Sequence, residues 1–493
     1  MKHLNPLDST FLHMDALRTP MHVGSLMTFH LPKNAPPDYV RKLVAKMREK
    51  PFMPKPFDCQ LAHGGLSSVA PAWVPAKIDM DYHLRHSALP FPGGERELGM
   101  LIERLHSNPL DMTRPLWECH LIEGLEGNRF AMYFKAHHCA IDGMGAVRML
   151  LQWLSKDPTD MRGIASIAAA PEPQISDDTA TGSEKGSSKK GPHKKGDRAK
   201  ANYKRSLVAR ITTPYKIART QLQAASELSS KIKEMLQGDD SSIKLALSVP
   251  ANCFNVRVSR QRRLATQILD LDRIHAIACA TNTSVNDVML AICGSTIRRY
   301  LLEHSELPDK SLLASIPLAF RREASEGGNA AAGFIAPLGT HLNDPIERLQ
   351  QIHRVTCRAK QDLRSLSGTA LMQFAFMGLT PLMFGQLTGT LAKLPPFFNL
   401  VISNVKLSKE PLYLMGAELE AIYPASFLMD GYALNITLVG YNNKIAVGIL
   451  GCRQAAPKLQ RMAIYTQDAL TELENAVTAQ CGAITPQAEG APA

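Results

Sequence analysis

Two adjacent histidines, His137 and His138, lie in the stretch FKAHHCAIDGMGAV, which spans residues 134–147. Three residues separate them from an Asp-Gly pair, Asp142 and Gly143. Successive residues of a strand point to opposite faces, so we expect only one of the two rings to serve a given site. A histidine at the end of a strand, on a turn where glycine permits close backbone approach, suits a general base that deprotonates a hydroxyl. A polar turn without a catalytic role fits the spacing alone equally well.

Other chemistries fit this stretch less well. A zinc site would need a third ligand at suitable spacing, and the chain contains no HExxH or CxxC motif. The run from Gly143 resembles a dinucleotide fingerprint, but Arg148 replaces its third glycine. The chain also lacks a GxxxxGK[ST] loop and a GxSxG elbow. Without an evident serine or cysteine nucleophile, the base hypothesis implies direct acyl transfer between two bound substrates.

The segments around the histidines alternate between strand-like and helix-like patterns. Residues 117–122 and 130–136 are predicted strands on either side of the turn GLEGN, and residues 144–154 form a predicted helix. The same alternation continues along the chain and predicts a mixed α/β protein. The other main predicted elements are helices at 37–50, 272–281, 286–304 and from Pro457 onward, and strands at 312–319, 400–404 and 434–441.

A chain of 493 residues is too long for one small core, so we expect two domains. Residues 168–200 contain almost no large apolar side chains and are rich in Pro, Gly, Ser, Thr and Lys, as is typical of a flexible linker. The sequence therefore predicts an N-terminal lobe at 1–165, a basic linker at 166–205 and a C-terminal lobe at 206–493.

Residues 185–210 carry ten Lys or Arg and one acidic residue, which accounts for most of the net charge of +11. The charge fits either a solvated linker or attraction to an anionic membrane surface. Nucleic acid is not an expected partner, because the run holds a single aromatic residue, Tyr203. Nine scattered cysteines and an N-terminus without an apolar signal region indicate a cytoplasmic protein.

Residues 365–392 contain no charged side chain over 28 positions. This length would suit a membrane-spanning helix, but Gly378 and Pro381 within it weaken that interpretation. The segment is predicted to form buried helices or the wall of an apolar channel, with a surface that dips into lipid as the alternative.

Several motifs then carry a resemblance to a known family. They are PLD (6–8), PMHVG (20–24), PLWE (115–118), HHCAIDG (137–143), VNDVMLA (285–291), NLVISNV (399–405) and ALNIT (433–437). In this order they resemble the bacterial wax ester synthase/acyl-CoA:diacylglycerol acyltransferase family, over nearly the whole chain. That family lies within the HHxxxDG superfamily of CoA-dependent acyltransferases. One departure is the ISNVKLS stretch, which lacks the family's prolines and glycine after Val405.

The resemblance implies two lobes like those of chloramphenicol acetyltransferase, each a mixed β-sheet flanked by helices, with a tunnel between them. It also implies transfer of a long-chain acyl group from acyl-CoA to a fatty alcohol or to diacylglycerol. CoA would then be part of a substrate, with no other cofactor and no metal. The enzyme would be a monomer or homodimer, peripherally associated with the inner face of the membrane or with lipid inclusions. The alternatives are a carrier-protein thioester as donor, or a non-catalytic lipid-droplet protein on the same fold.

The resemblance assigns His138 as the base, and His137 and Asp142 as structural residues, with Asp142 turned towards an arginine. Asn286 is the candidate hydrogen-bond donor to the oxyanion. Such a donor stabilises the transition state by several kcal/mol in comparable enzymes. Asn286 fits a helix N-cap equally well. The remaining candidates are Asn404 as a second possible oxyanion donor, Gly143 as a point of close substrate approach, and Trp117 as a pocket residue or simply part of the core.

Overall fold

The computed structural model describes residues 2–49, 53–62, 71–162, 223, 226–233, 245, 248–319 and 331–481. The predicted linker at 166–205 lies outside the described residues, as do both of its predicted boundaries. The division into lobes at those positions therefore stays a prediction.

Helices and strands alternate along the described chain, as the sequence predicts. The strands are β1 (Lys2–His3), β2 (His22–His30), β3 (Cys59–Leu61), β4 (Ala72–Pro75), β5 (Leu84–Ala88), β6 (Trp117–Leu125), β7 (Arg129–His137), β8 (Arg262–Asp270), β9 (Leu313–Ala319), β10 (Ala331–Pro337), β11 (Leu400–Ser408), β12 (Tyr413–Leu414), β13 (Ala417–Ala425), β14 (Leu434–Tyr441) and β15 (Lys444–Cys452). The helices are α1 (Pro6–Met14), α2 (Tyr39–Glu49), α3 (Met80–His83), α4 (Glu95–Ser107), α5 (Gly143–Trp153), α6 (Leu271–Ala280), α7 (Val285–Glu303), α8 (Pro345–Arg364), α9 (Gly368–Leu387) and α10 (Arg461–Cys481).

Two six-stranded mixed sheets organise the protein. The first has the order β12-β13-β2-β7-β6-β5 and is antiparallel except where β5 runs parallel to β6. The second has the order β10-β9-β11-β14-β15-β8, with β11 parallel to both neighbours. A small sheet of β1, β4 and β3 lies apart from them. The predicted fold class, α/β with two mixed sheets flanked by helices, is confirmed.

The first sheet is built from both ends of the chain. Strand β13 pairs antiparallel with β2, with Ile422 opposite Met27 and Ala425 opposite Gly24. Alternate residues of these strands point into the apolar core beneath the sheet, which fixes the register, since a slip of one residue would turn them to the other face. The N-terminal sheet therefore depends on a hairpin supplied by the C-terminal part of the chain.

Different helices cover the two faces of the first sheet. Leu43 of α2 and Leu150 of α5 pack into the core on one face, whereas Leu98 and Ile102 of α4 pack on the other. Helix α7 forms the centre of the second core and is buried almost all round. These packed layers hold the ends of β7 and β11 in fixed positions.

The uncharged segment forms one 20-residue helix, α9, with Pro381 inside it. The interpretation as buried helices is wrong for most of its length. Only four of its residues are buried: Ala370, Leu382, Gly385 and Gln386. Among the helices of the described ranges, α9 is long and apolar enough to cross a bilayer. Helices α6 and α7 reach that length and hydrophobicity only when taken together, and they are bent by 105° where they meet.

Candidate active site

The histidine motif begins where β7 ends. His137 is the last residue of that strand, and its carbonyl accepts from the N–H of Ala140, which closes a tight turn. The backbone N–H of His138 donates to the carbonyl of Met21 at 2.8 Å. The turn is thereby fastened to the residue that precedes β2.

His137 acts as a structural link. Its side chain is 1% exposed. The N–H of Cys139 donates to Nδ1 at 3.1 Å, so Nδ1 carries no proton and Nε2–H donates to Asp15 Oδ2 at 3.2 Å. The same carboxylate oxygen accepts from the N–H of Met21 at 2.7 Å. His137 thus joins the turn to the loop after α1.

The His138 ring occupies a different, aromatic environment. It lies 4.2 Å from the ring of Phe11 and 5.3 Å from that of Phe427, measured between centroids. Burial, and secondarily the neighbouring His137, lowers the pKa of His138 to about 4, although a hydrogen bond with its own backbone acts in the opposite direction. The imidazole is therefore neutral at physiological pH, and a neutral imidazole has one unprotonated ring nitrogen.

Asp142 and Gly143 begin helix α5. Asp142 is its N-cap, and Oδ1 accepts from the N–H of Gly145 at 2.6 Å. No arginine of the described residues lies within 4.0 Å of this carboxylate, so the expectation that Asp142 turns towards an arginine stays a prediction. A Cβ added to Gly143 would lie 3.5 Å from Val405 Cγ2 of β11. The turn of the first sheet therefore meets the second sheet at this point.

An apolar cluster lies beside the aromatic pair that contacts His138. It contains residues of α1, β11 and the loop after β13, the residue that precedes β2, and residues of the second half of α9. Its members include Met14, Met21, Phe398, Met429 and Tyr432, with Phe11, Val401 and Phe427 at its edge. Such a wall offers dispersion contacts to long alkyl chains and holds few polar groups that would compete.

A polar network anchors the loop that carries Phe427. Both oxygens of Asp430 accept from the Arg18 guanidinium, and the Oδ2 contact is 2.7 Å. The N–H of Val258 also donates to Asp430, at 3.1 Å. Gln386 of α9 completes the network, because it donates to Thr19 and accepts from the N–H of Asp430. The position of Phe427 is therefore tied to α9 and to the loop after α1.

The candidate pocket residue Trp117 belongs to the apolar core of the first sheet and not to this cluster. Trp117 is 2% exposed, stacks on His83 with ring centroids 4.5 Å apart, and donates to the Phe57 carbonyl at 3.0 Å. These contacts favour the core interpretation. Asn404 lies exposed on β11, beside Val405.

Asn286 is the second residue of α7 and is half-buried. Its interpretation as an N-cap is wrong, because Ser284 caps this helix and forms a reciprocal capping box with Asp287. Asp287 also accepts from Thr356 Oγ1 at 2.6 Å and lies 2.8 Å from His353 Nδ1. These bonds fix the orientation of the first turn, and the role of Asn286 as an oxyanion donor stays a prediction.

Three residues beside the histidines were not predicted from the sequence: Phe11, Asp15 and Phe427. Phe11 and Asp15 lie between the PLD and PMHVG motifs, so those motifs marked the region but not the residues. No local pattern marks Phe427. Among the described residues, no three His, Cys, Asp or Glu side chains are grouped to hold a metal ion.

Comparison with known proteins identifies the family. The wax ester synthase/diacylglycerol acyltransferase catalytic domain matches residues 4–289, and the C-terminal domain of that family matches residues 327–474. A putative diacylglycerol O-acyltransferase of Mycobacterium tuberculosis is 48% identical over 476 residues, 97% of this chain and 99% of the relative. The O-acyltransferase WSD of Acinetobacter baylyi is 35% identical over 486 residues, 97% and 98% of the two chains.

Solved structures agree with this assignment. The wax ester synthase/diacylglycerol acyltransferase of Marinobacter aquaeolei VT8 superimposes with a TM-score of 0.72 at 34% identity, over 97% of this chain and 100% of that one. A condensation domain of the calcium-dependent antibiotic synthetase shares the fold at 14% identity, with a TM-score of 0.58. The chain therefore belongs to the wax ester synthase/diacylglycerol acyltransferase family and is an acyltransferase.

Proposed function

We propose that this acyltransferase transfers a long-chain acyl group from acyl-CoA to the hydroxyl of a fatty alcohol or of diacylglycerol, with His138 as the general base. The observation that carries the proposal is the neutral His138 imidazole between Phe11 and Phe427 at the edge of an apolar cluster. The name of the Mycobacterium relative supports diacylglycerol as an acceptor, and the description of the family supports wax ester synthesis from an alcohol as well.

In this reaction the unprotonated nitrogen of His138 takes the proton of the acceptor hydroxyl. The hydroxyl oxygen forms a bond to the thioester carbonyl carbon, and the carbon–sulfur bond breaks. The leaving thiolate of CoA then receives the proton, so that an ester and free CoA are formed and His138 is regenerated. A positioned base of this kind contributes about 10²–10⁴-fold, and the ordering of both substrates must supply much of the remainder.

The developing oxyanion requires a hydrogen-bond donor. Asn286 is our first candidate, since the buried contacts of Asp287 hold the start of α7 rigidly. Removal of one such donor elsewhere lowers kcat by about 10²–10³-fold. We therefore expect Asn286→Ala and Asn286→Asp both to lose activity while the protein remains folded, and we would measure kcat together with the thermal unfolding midpoint. An unchanged kcat in both variants would move the role to Asn404.

Helix α9 supports peripheral association with a lipid surface. Its large exposed side chains are apolar, and they include Phe384 at 66% and Leu387 at 56% exposure. The 28 uncharged positions around them leave this face without charged side chains of its own that would oppose burial in the headgroup boundary. Long-chain alcohols and diacylglycerol partition from water into lipid, so a lipid film is the occupant that fits this helix.

Flotation with phosphatidylcholine vesicles tests this association. The double variant Phe384→Ser/Leu387→Ser should bind vesicles more weakly than the wild type. Phe91→Ser is the matched control, because Phe91 is 98% exposed and belongs to a different surface loop. Equal binding by all three proteins would exclude α9 as the contact.

The activity itself is tested with labelled palmitoyl-CoA and either hexadecanol or dioleoylglycerol. The wild type should release CoA and form ester, whereas His138→Ala should lose about 10²-fold or more. His13→Ala serves as the control, since His13 is exposed on α1. If the wild type releases no more CoA than His138→Ala, only a lipid-binding role remains. A preference for acyl-carrier protein over acyl-CoA would instead favour a carrier-bound donor.

A further inference from the structure

A large basic cavity lies between the two sheets, on the side of α4. Its volume is about 1130 Å³, and its walls come from α4 and β8. Apolar side chains form part of the lining, among them Leu98, Met100 and Leu264. Two glutamates line it, Glu95 and Glu103, against six arginines: Arg96, Arg104, Arg260, Arg262, Arg263 and Arg453.

Both glutamates already have arginine partners. Glu95 lies 2.9 Å from Arg129, outside the cavity lining, and Glu103 lies 3.5 Å from Arg263. Among the described residues, no carboxylate lies within 4.0 Å of the other five arginines. The cavity therefore carries an excess of positive charge that its own walls do not neutralise.

One of the arginines in the cavity wall, Arg262, is buried. It is 3% exposed, and its guanidinium donates to two carbonyls, those of Ser259 and Arg18. Burial lowers the pKa of Arg262 to about 10. A buried cation normally has an anionic partner, because removal of a charge from water is costly unless it is paired. The Asp430 carboxylate, which pairs with Arg18, raises this pKa in part without contacting Arg262 within 4.0 Å, so the charge of Arg262 adds to that of the cavity wall.

Gly99 provides an independent observation. It lies in the middle of α4, where glycine costs roughly 1 kcal/mol relative to alanine. A Cβ at this position would have no atom within 4 Å, so no packing contact requires the glycine. Gly99 lines the cavity, and the missing side chain keeps that part of its wall open.

The cavity is linked to the catalytic base through a few contacts. The backbone N–H of Arg262 donates to Ser107 Oγ at 2.9 Å, and Ser107 lines the cavity. The preceding residue, His106, bonds through Nε2 to the Ser426 carbonyl at 2.8 Å. Ser426 is followed directly by Phe427, whose ring lies against His138.

We propose that this cavity holds the phosphorylated adenosine end of the CoA thioester, with the arginines on its phosphates and the adenine against its apolar lining. The inference rests on the proposed function, since it places the donor of that reaction. Arginine matches phosphate geometry with paired N–H donors. The volume suits a nucleotide rather than a single phosphate, because small-molecule sites commonly occupy roughly 300–1,000 Å³.

Titration calorimetry with CoA tests the site without requiring turnover. Arg104→Ala/Arg260→Ala removes two exposed guanidinium groups and should weaken CoA binding about tenfold to a hundredfold. Arg354→Ala/Arg358→Ala is the matched control, because these exposed arginines lie on α8. Gly99→Leu should also weaken binding by filling the cavity, whereas Gly99→Ala should have a much smaller effect. Dephospho-CoA should bind the wild type more weakly than CoA does.

Kinetics give a second measurement. The ratio of kcat/KM for palmitoyl-CoA to that for palmitoyl-pantetheine, which lacks the nucleotide, should fall in Arg104→Ala/Arg260→Ala. CoA affinity unchanged in this variant and in Gly99→Leu would overturn the proposal, whatever the turnover. If Arg104→Ala/Arg260→Ala loses binding to phosphatidylglycerol vesicles while its CoA affinity is unchanged, the proposal is also overturned. The arginines are then assigned to lipid headgroups. Absence of acyl transfer in the wild type would refute the proposed function separately, because the calorimetric result would still stand.

Discussion

The low pKa of His138 predicts an unusual pH dependence of activity. The value of about 4 arises mainly from burial, to which the rings of Phe11 and Phe427 contribute. At pH 5.5 a base with a pKa of about 4 is roughly 97% neutral, whereas one at the ordinary value of 6.5 is about 9% neutral. The wild type should therefore keep nearly full kcat/KM at pH 5.5, with its acid limb below pH 5.

Phe427→Ser tests the cause of this shift. Loss of the ring admits water beside His138, so the pKa should rise towards 6.5 and the acid limb should move with it. At pH 5.5, kcat/KM should then fall by up to about tenfold relative to its plateau value. Phe397→Ser is the control, because Phe397 belongs to the same apolar cluster but contributes no ring contact to His138 among the described residues.

The assay is CoA release from palmitoyl-CoA with hexadecanol, measured as kcat/KM between pH 4 and pH 8, because this quantity reports the pKa values of the free enzyme. Circular dichroism at each pH confirms that the variants remain folded. An acid limb near pH 6.5 in the wild type would refute the assignment of His138, with its lowered pKa, as the base. Equal shifts in Phe427→Ser and Phe397→Ser would refute the role of the Phe427 contact.

Three further predictions concern stability. Asp430→Asn should lower the free energy of unfolding by about 2–3 kcal/mol, measured by urea denaturation. This is at the lower end of the loss for a broken buried ion pair, or below it, because the Arg18 side chain is 32% exposed. Asp287→Asn should cost about 1–3 kcal/mol in the same assay, because it weakens the buried bonds to α8. Burial lowers the pKa of His106 to about 3, so below about pH 6.5 the unfolded chain binds a proton that the folded protein does not, and stability should fall as pH decreases towards 3. His106→Gln should reduce this dependence in thermal melts from pH 7 to pH 4.

Local sequence patterns predicted the elements that carry the histidines. The hairpin of β6 and β7 follows from two apolar strands around GLEGN, where Gly127 and Asn128 adopt positive φ. Strand β6 extends to Leu125 rather than residue 122, past an irregularity in its pairing with β7. The observed helix α5 matches its predicted range within one residue at each end. These features depend on nearby residues and are therefore visible in the sequence.

Features that depend on distant partners were not predicted. The place of β13 in the first sheet requires β2 from the opposite end of the chain, and no local pattern specifies that pairing. Phe427 comes to lie on His138 only because of that crossing, together with the Arg18–Asp430 ion pair. The exposure of α9 was also misjudged, because an uncharged composition is shared by buried helices and by helices that face lipid.

The network around Asp430 gives the exposed helix a connection to the chemistry. Gln386 is 8% exposed, although its neighbours Phe384 and Leu387 are directed outward. Its side chain bonds both to Thr19, in the loop that holds Asp15 and Met21, and to the backbone of Asp430. A displacement of α9 on a lipid surface would therefore act on two segments beside His138: the loop that holds Asp15 and Met21, and the loop that carries Phe427. The position of Phe427, which shields His138 from water, thus depends on α9, the helix proposed to contact lipid.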